Sequence, residues 1–266
     1  YMDSYDEALG KLTKAAEIGD QIKHRLGVAN AKYHTGEIAM LRGQHGRAIE
    51  QFIGSMDIFT ELRDSVGIAL CLNSIGSVYT SQGNYEQAHK YLNNALIYCD
   101  EPTKADSYTY LAQLYSRMEA WDEAKKYAEL GIMQGEQFQD NYVISKCLDV
   151  LGDLSAHHHN PLEALSFCKK SLKIKLEIQD IQGQCVTMIE MSNLYSQIDS
   201  FEISKKMLWK AFNLSTRIGA KEEIKTSSLE LAKIKAADGR FDSAFYYQNI
   251  FIEINEQIRT EHTQKK

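Results

Sequence analysis

The chain reads as an all-α protein built of stacked antiparallel helix pairs. Three observations predict this. Small residues recur in two series in one register. The first is Ala8, Ala48, Ala88, Ala124, Ala164, Ser204 and Ala244, with steps of 40, 40, 36, 40, 40 and 40. The second lies 12 residues upstream of all but Ala8: Gly36, Gly76, Ala112, Gly152, Ser192 and Ala232. Small residues at fixed spacing permit close helix–helix approach. Apolar residues between these markers follow helical spacing, as in Ile68, Leu72, Ile75 and Tyr79, then Tyr85, Ala88, Leu92 and Ala95. Punctuation agrees with the pattern, since Gly43, Gly83 and Gly239 each stand five residues before a marker of the first series, where a helix should end.

The elements follow in order. Residues 1–24 hold a second helix without a first, a half repeat. Six full units follow at about 27–64, 67–100, 103–140, 142–180, 182–220 and 222–260, making 1–266 a single array. Asn84, Asn160 and Ser200 occupy the cap slot before the second helix, and Asn160-Pro161-Leu162-Glu163 adds a first-turn proline and a capping-box acid. From Ala88 to Ala112 four residues are missing, about one helical turn, and Pro102 lies there. This predicts shortened helices and a local change of geometry. In the fifth unit Ser192 and Ser204 replace the usual Gly/Ala pair, and in the sixth Lys235 stands where tyrosine is expected. Both units are expected to pack less tightly. The last helix runs from about 242 to 266 without a stop signal.

Composition bounds the function. The chain has 266 residues, 36 acidic against 30 basic, and a formal charge of −6. No long basic run appears, so nucleic acid and anionic membrane surfaces are excluded as partners of this region. Five cysteines with no CxxC pair read as free, buried thiols in a reducing, cytoplasmic setting. No apolar run approaches the roughly 20 residues that span a bilayer. No nucleophile, phosphate-loop or metalloprotease motif occurs, so no catalytic residue, metal ligand or cofactor is assigned. His157-His158-His159 falls in a turn, where consecutive side chains diverge around the helix axis and read as surface. Cys147, Cys168 and Cys185 read as buried filler. Trp121 and Trp209 match packing phases.

The spacing of small residues, with Tyr79, Tyr115 and Tyr195 three residues after a marker, resembles the tetratricopeptide repeat in a long, 40-residue variety. The resemblance implies a right-handed superhelical solenoid whose first helices line a concave groove that binds a protein or peptide. Phase then selects the groove positions, six before, three before and one after each upstream marker. The site set is Asn30, Tyr33, Glu37, Asn73, Ser77, Asp106, Thr109, Gln113, Asp149, Asp153 and Asn193. Asp106, Asp149 and Asp153 suit a basic side chain. Val186 and Ile189 occupy the same phases, giving an apolar patch in the fifth unit. Only Lys146 and Lys233 are basic there, two units apart, so the family's clamp for C-terminal carboxylates is not expected.

Three functions remain open. One is the sensory or regulatory part of a larger bacterial signalling protein, joined by the helix at 242–266 to a diguanylate cyclase or histidine kinase module. Another is a peptide-pheromone receptor resembling the Rap-type regulators, although their N-terminal helical bundle is absent here. The last is a self-associating scaffold, a homodimer through its terminal helices.

Overall fold

The computed structural model describes residues 2–263, with side chains over 6–260. Among these residues every element is an α-helix. The order is α1 (Met2–Gln21), α2 (Arg25–Leu41), α3 (His45–Leu62), α4 (Ser65–Ser81), α5 (Tyr85–Tyr98), α6 (Lys104–Arg117), α7 (Trp121–Phe138), α8 (Asn141–His157), α9 (Pro161–Glu177), α10 (Ile181–Gln197), α11 (Phe201–Ile218), α12 (Lys221–Ala237) and α13 (Phe241–Thr263). The chain divides into two compact units, Tyr1–Val143 and Ile144–Lys266, with the boundary one turn into α8.

Each unit is a stack of antiparallel pairs. The most extensive contacts join α2 to α3, α4 to α5, α6 to α7, α10 to α11 and α12 to α13. First helices also touch first helices, α2 with α4, α4 with α6, and α10 with α12, whereas no second-helix pair packs comparably among the described residues. Within each unit the first helices therefore share one wall.

The small residues sit where the crossings are tightest. A side-chain carbon added at Gly36 would come 2.7 Å from Phe52, and one at Gly76 2.5 Å from Leu92. At Gly152 it would lie 3.4 Å from Cys168, an ordinary contact. Phe52, Leu92 and Cys168 each stand 16 residues after their small partner, at equivalent places. The fifth unit does not pack more loosely at this point. Ser192 Oγ donates to the Ser204 carbonyl at 3.0 Å and pairs with its hydroxyl at 3.0 Å. Ser192, Ser204 and Leu208 are 3%, 5% and 1% exposed. The hydroxyl satisfies a carbonyl at a crossing where glycine or alanine offers nothing.

Turns repeat as regularly. Gly43, Gly83 and Gly239 take left-handed backbone after their helices, and Glu119, His159 and Asp199 take it in the matching places. A second left-handed residue closes most second helices: Lys23, Arg63, Gln139, Gln179 and Gly219. His159 thus holds a turn, with His157 ending α8. The next first helix is capped by Asp64 onto Gly67 N (3.0 Å), Asp140 onto Val143 N (3.1 Å) and Asp180 onto Gly183 N (2.8 Å). Asn84 and Asn160 cap as expected, at 3.3 Å each. Ser200 does not, because its hydroxyl turns back to the Ile198 carbonyl at 3.5 Å.

The four-residue deletion falls on both helices beside it. α5 and α6 have 14 residues each, against 18 in α3 and 17 in α4. The connector lengthens instead, and Asp100 and Thr103 brace it with reciprocal bonds of 3.0 and 3.1 Å. Trp209 departs from its expected packing role. It is 55% exposed on the outer side of α11 and lines a cavity of about 290 Å³ with Glu202, Lys206, Leu231, Ile234 and Lys235.

Candidate binding face of the first helices

In unit 1 the wall is built by α2, α4 and α6. Phase divides the expected positions into two depths. Those three residues before the marker point between neighbouring first helices. Asn73 and Thr109 are 2% and 6% exposed. The Asn73 amide donates to Ser107 Oγ at 2.9 Å and its carbonyl oxygen lies 3.1 Å from the same hydroxyl. Thr109 donates to the Ala105 carbonyl at 2.9 Å. Both form the floor and do not project. Tyr33 is half-buried, its hydroxyl 3.0 Å from Ser74 and its ring against Phe52.

The positions six before and one after the marker open outward. Asn30 is exposed, and Glu37, Ser77, Asp106 and Gln113 are half-buried. Glu37 lies 2.7 Å from His34 Nδ1. Burial, reinforced by Asp140, pushes the Asp106 carboxyl up to about 6. Burial first, then neighbouring acids including Glu37, pushes Tyr33 up to about 12. Sequence phase missed the position two before the marker, which completes this face as i, i+4 and i+7. Tyr110 stands there, between Asp106 and Gln113 on α6.

In unit 2 the same phases behave differently. Asp149 is not left free for a ligand. Its Oδ2 pairs with Lys175 Nζ at 2.6 Å and its Oδ1 accepts from Ser171 Oγ at 2.6 Å. Lys175 is 0% exposed and also donates to Thr187 Oγ1 at 2.7 Å. Ile189 is 7% exposed in the core with Leu208 and Phe212, so of the expected apolar patch only Val186 reaches the surface. Asp153 and Asn193 are exposed. Glu190, again two before the marker, is half-buried; burial, then Asp149 and Asp153, pushes it up to about 8 against the pull of Lys175 and Lys146. Lys233 is paired with Glu230 at 2.6 Å.

The cysteines are free, and Cys71, Cys147, Cys168 and Cys185 are buried. Burial raises the Cys71 and Cys185 thiols to about 11 and Cys168 to about 12, which disfavours thiolate chemistry. No described helix is long and apolar enough to cross a membrane.

Comparison with known proteins agrees with this architecture. Residues 27–96 match the family model described as tetratricopeptide repeat. No curated protein sequence matches. Among solved structures, the apo form of RapI is 16% identical, with 97% of this chain and 99% of that chain covered and a TM-score of 0.67. A Rap protein complexed with Competence and Sporulation Factor is 12% identical, covering 89% and 76%, at 0.67. A signal-transduction ATPase with a tetratricopeptide repeat sensor from Pyrococcus horikoshii is 20% identical, at 0.67, over 97% of this chain and 41% of its own. At these identities the likeness concerns fold. Residues 27–96 match the tetratricopeptide repeat model, and the described helix pairs share the fold of these solved structures.

Proposed function

We propose that this chain is a non-catalytic module that binds a protein or peptide segment on its first-helix wall. The observation that carries this reading is the division of unit 1 into two depths. Asn73, Ser107 and Thr109 lock the floor, while Glu37, Ser77, Asp106, Tyr110 and Gln113 remain at the surface above it. A preorganised wall with outward amide, hydroxyl and carboxylate groups suits recognition of an extended backbone. Asp153, Glu190 and Asn193 are the corresponding contacts proposed for unit 2.

The module is read as the sensory part of a larger cytoplasmic signalling protein, a role supported by the sensor repeats of the Pyrococcus horikoshii ATPase. A free-standing receptor of the Rap kind is the second reading, favoured by the near-complete mutual coverage with RapI.

Selection of random peptides on the immobilised chain tests the binding reading. Enriched peptides are expected to lose about tenfold or more in affinity with Gln113→Ala or Ser77→Ala, and to be indifferent to Ile97→Ser, an exposed second-helix position. Loss with Ile97→Ser alone, or no enrichment at all, would overturn it.

A further inference from the structure

We propose that the cavity between α11 and α12 binds a small aromatic carboxylate, one ring bearing one negative charge. The site lies within unit 2, on a second helix and the first helix that follows it, and does not depend on the binding reading above.

The cavity opens where one residue of the repeat changes. Three residues after the upstream marker, three units place a tyrosine ring against the preceding second helix. Tyr79 packs on the cluster that holds Ala48 and Phe52. The Tyr115 ring lies 5.9 Å from that of His89, and its hydroxyl 2.9 Å from His89 Nε2. Tyr195 packs on Ala164, Leu165 and Cys168, with Lys169 Nζ 5.8 Å from the ring centre. Two other units carry Ala39 and Ser155 here, small residues 2% and 4% exposed that their neighbours close over. The sixth unit carries Lys235, which has no ring and is only half-buried. Between α11 and α12 about 290 Å³ stays open beside it. Trp209 lines that space, five residues after Ser204 as Lys169 is five after Ala164. The indole thus stands where the missing ring would meet the second helix.

The lining names the ligand. Trp209 offers an exposed aromatic face, and Leu231 and Ile234 add apolar surface, so a ring is the matching body. Lys205 is held by Asp238 at 3.1 and 3.2 Å and by Glu202 at 3.4 Å. Lys206 and Lys235 have no ion pair among the described residues. Three lysines against Glu202 and Asp238 leave one positive charge, which one carboxylate neutralises. A cationic ligand would meet Lys206 and Lys235, and a neutral one would leave Lys235 half-buried without a counter-ion. Ligand cavities run from roughly 300 to 1,000 Å³, so this one suits a single ring and not a stretch of chain.

The test uses phenylacetate, its neutral isostere phenylacetamide, and acetate, which has the charge without the ring. The whole chain is labelled with nitrogen-15 in its two tryptophans, and Trp209→Phe assigns the indole signals. Phenylacetate is expected to shift Trp209 and not Trp121, with a dissociation constant on the order of 1 mM. Phenylacetamide is expected to bind about fivefold more weakly, as fits a partly exposed ion pair, and acetate to leave Trp209 unmoved. Lys235→Tyr returns the ring and is expected to abolish the response. Lys206→Gln, at an exposed position, is expected to shrink the preference for phenylacetate, whereas Lys90→Gln, exposed on α5, should leave it intact. Equal binding of phenylacetate and phenylacetamide, a response that survives Lys235→Tyr, or equal movement of Trp121 would overturn the site. Tighter binding of the tripeptide Gly-Gly-Phe than of phenylacetate would overturn the assignment to a small ligand.

Discussion

A methyl group at Gly76 and one at Gly152 meet different surroundings. At Gly76 it would lie 2.5 Å from Leu92, a side chain with 0% exposure and nowhere to retreat. Overpacking of that kind costs about 1–3 kcal/mol, partly offset by the roughly 1 kcal/mol of helix propensity that alanine adds. Gly76→Ala is expected to lower stability by up to about 2 kcal/mol in urea unfolding. Gly152→Ala meets Cys168 at 3.4 Å and is expected to raise it by about 0.5–1 kcal/mol. Glu190 makes the other prediction at this scale. Its carboxyl is raised from 4.5 to about 8 in the folded chain, so the native state holds a proton that the unfolded state releases. The stability it contributes is present below pH 4.5 and is lost as pH rises through 8. Unfolding followed from pH 5 to pH 8.5 should show this decline, and Glu190→Gln should flatten it. Single residues were also the least legible part of the sequence. Glu119, His159 and Asp199 adopt left-handed backbone without being glycine, because the repeat imposes the turn. Only the glycines at 43, 83 and 239 announced it.

At the scale of elements, α9 and α10 are tied by a charge that hydrophobic patterning does not reveal. Lys175 is fully buried on Asp149 and Thr187. Its repeat phase contained a clue, since Phe59 and Ser215 stand at the equivalent place, 40 residues apart at each step but for the short unit, and both are buried. Lys175→Met leaves Asp149 without its cation and is expected to cost about 3–5 kcal/mol. Adding Asp149→Leu should recover most of that loss, as a double-mutant cycle in urea would show. Caps separate in the same way. Asp180→Ala removes a 2.8 Å bond to Gly183 N and should cost about 1 kcal/mol, while Ser200→Ala, with no cap bond, should fall within about 0.5 kcal/mol. The shortened α5 and α6 were legible because a four-residue gap in a 40-residue register has few other outlets.

At the scale of the molecule, the two small-residue series made the helix pairs readable, since each pair repeats one crossing. The binding wall was readable only in part. Sequence phase identifies the helices that form it, but depth depends on how closely neighbouring first helices approach. Asn73 and Asp149 were therefore expected at the surface, yet they form internal bonds, and Tyr110 and Glu190 were passed over. Stability in such an array is a sum of units and their nearest interfaces. α4 buries ten of its 17 residues and α10 nine of 17, whereas Phe241, Phe245, Tyr246 and Ile252 of α13 are exposed. Hydrogen exchange is expected to be slowest in α4 and α10 and fastest in α1 and α13. The central claim, that the first helices form the binding wall, is tested most directly by a crystal structure of the chain with a selected peptide. The account predicts peptide density lying along α2, α4 and α6 above Asn73 and Thr109. Density against the outer faces of α3, α5 and α7 would contradict it.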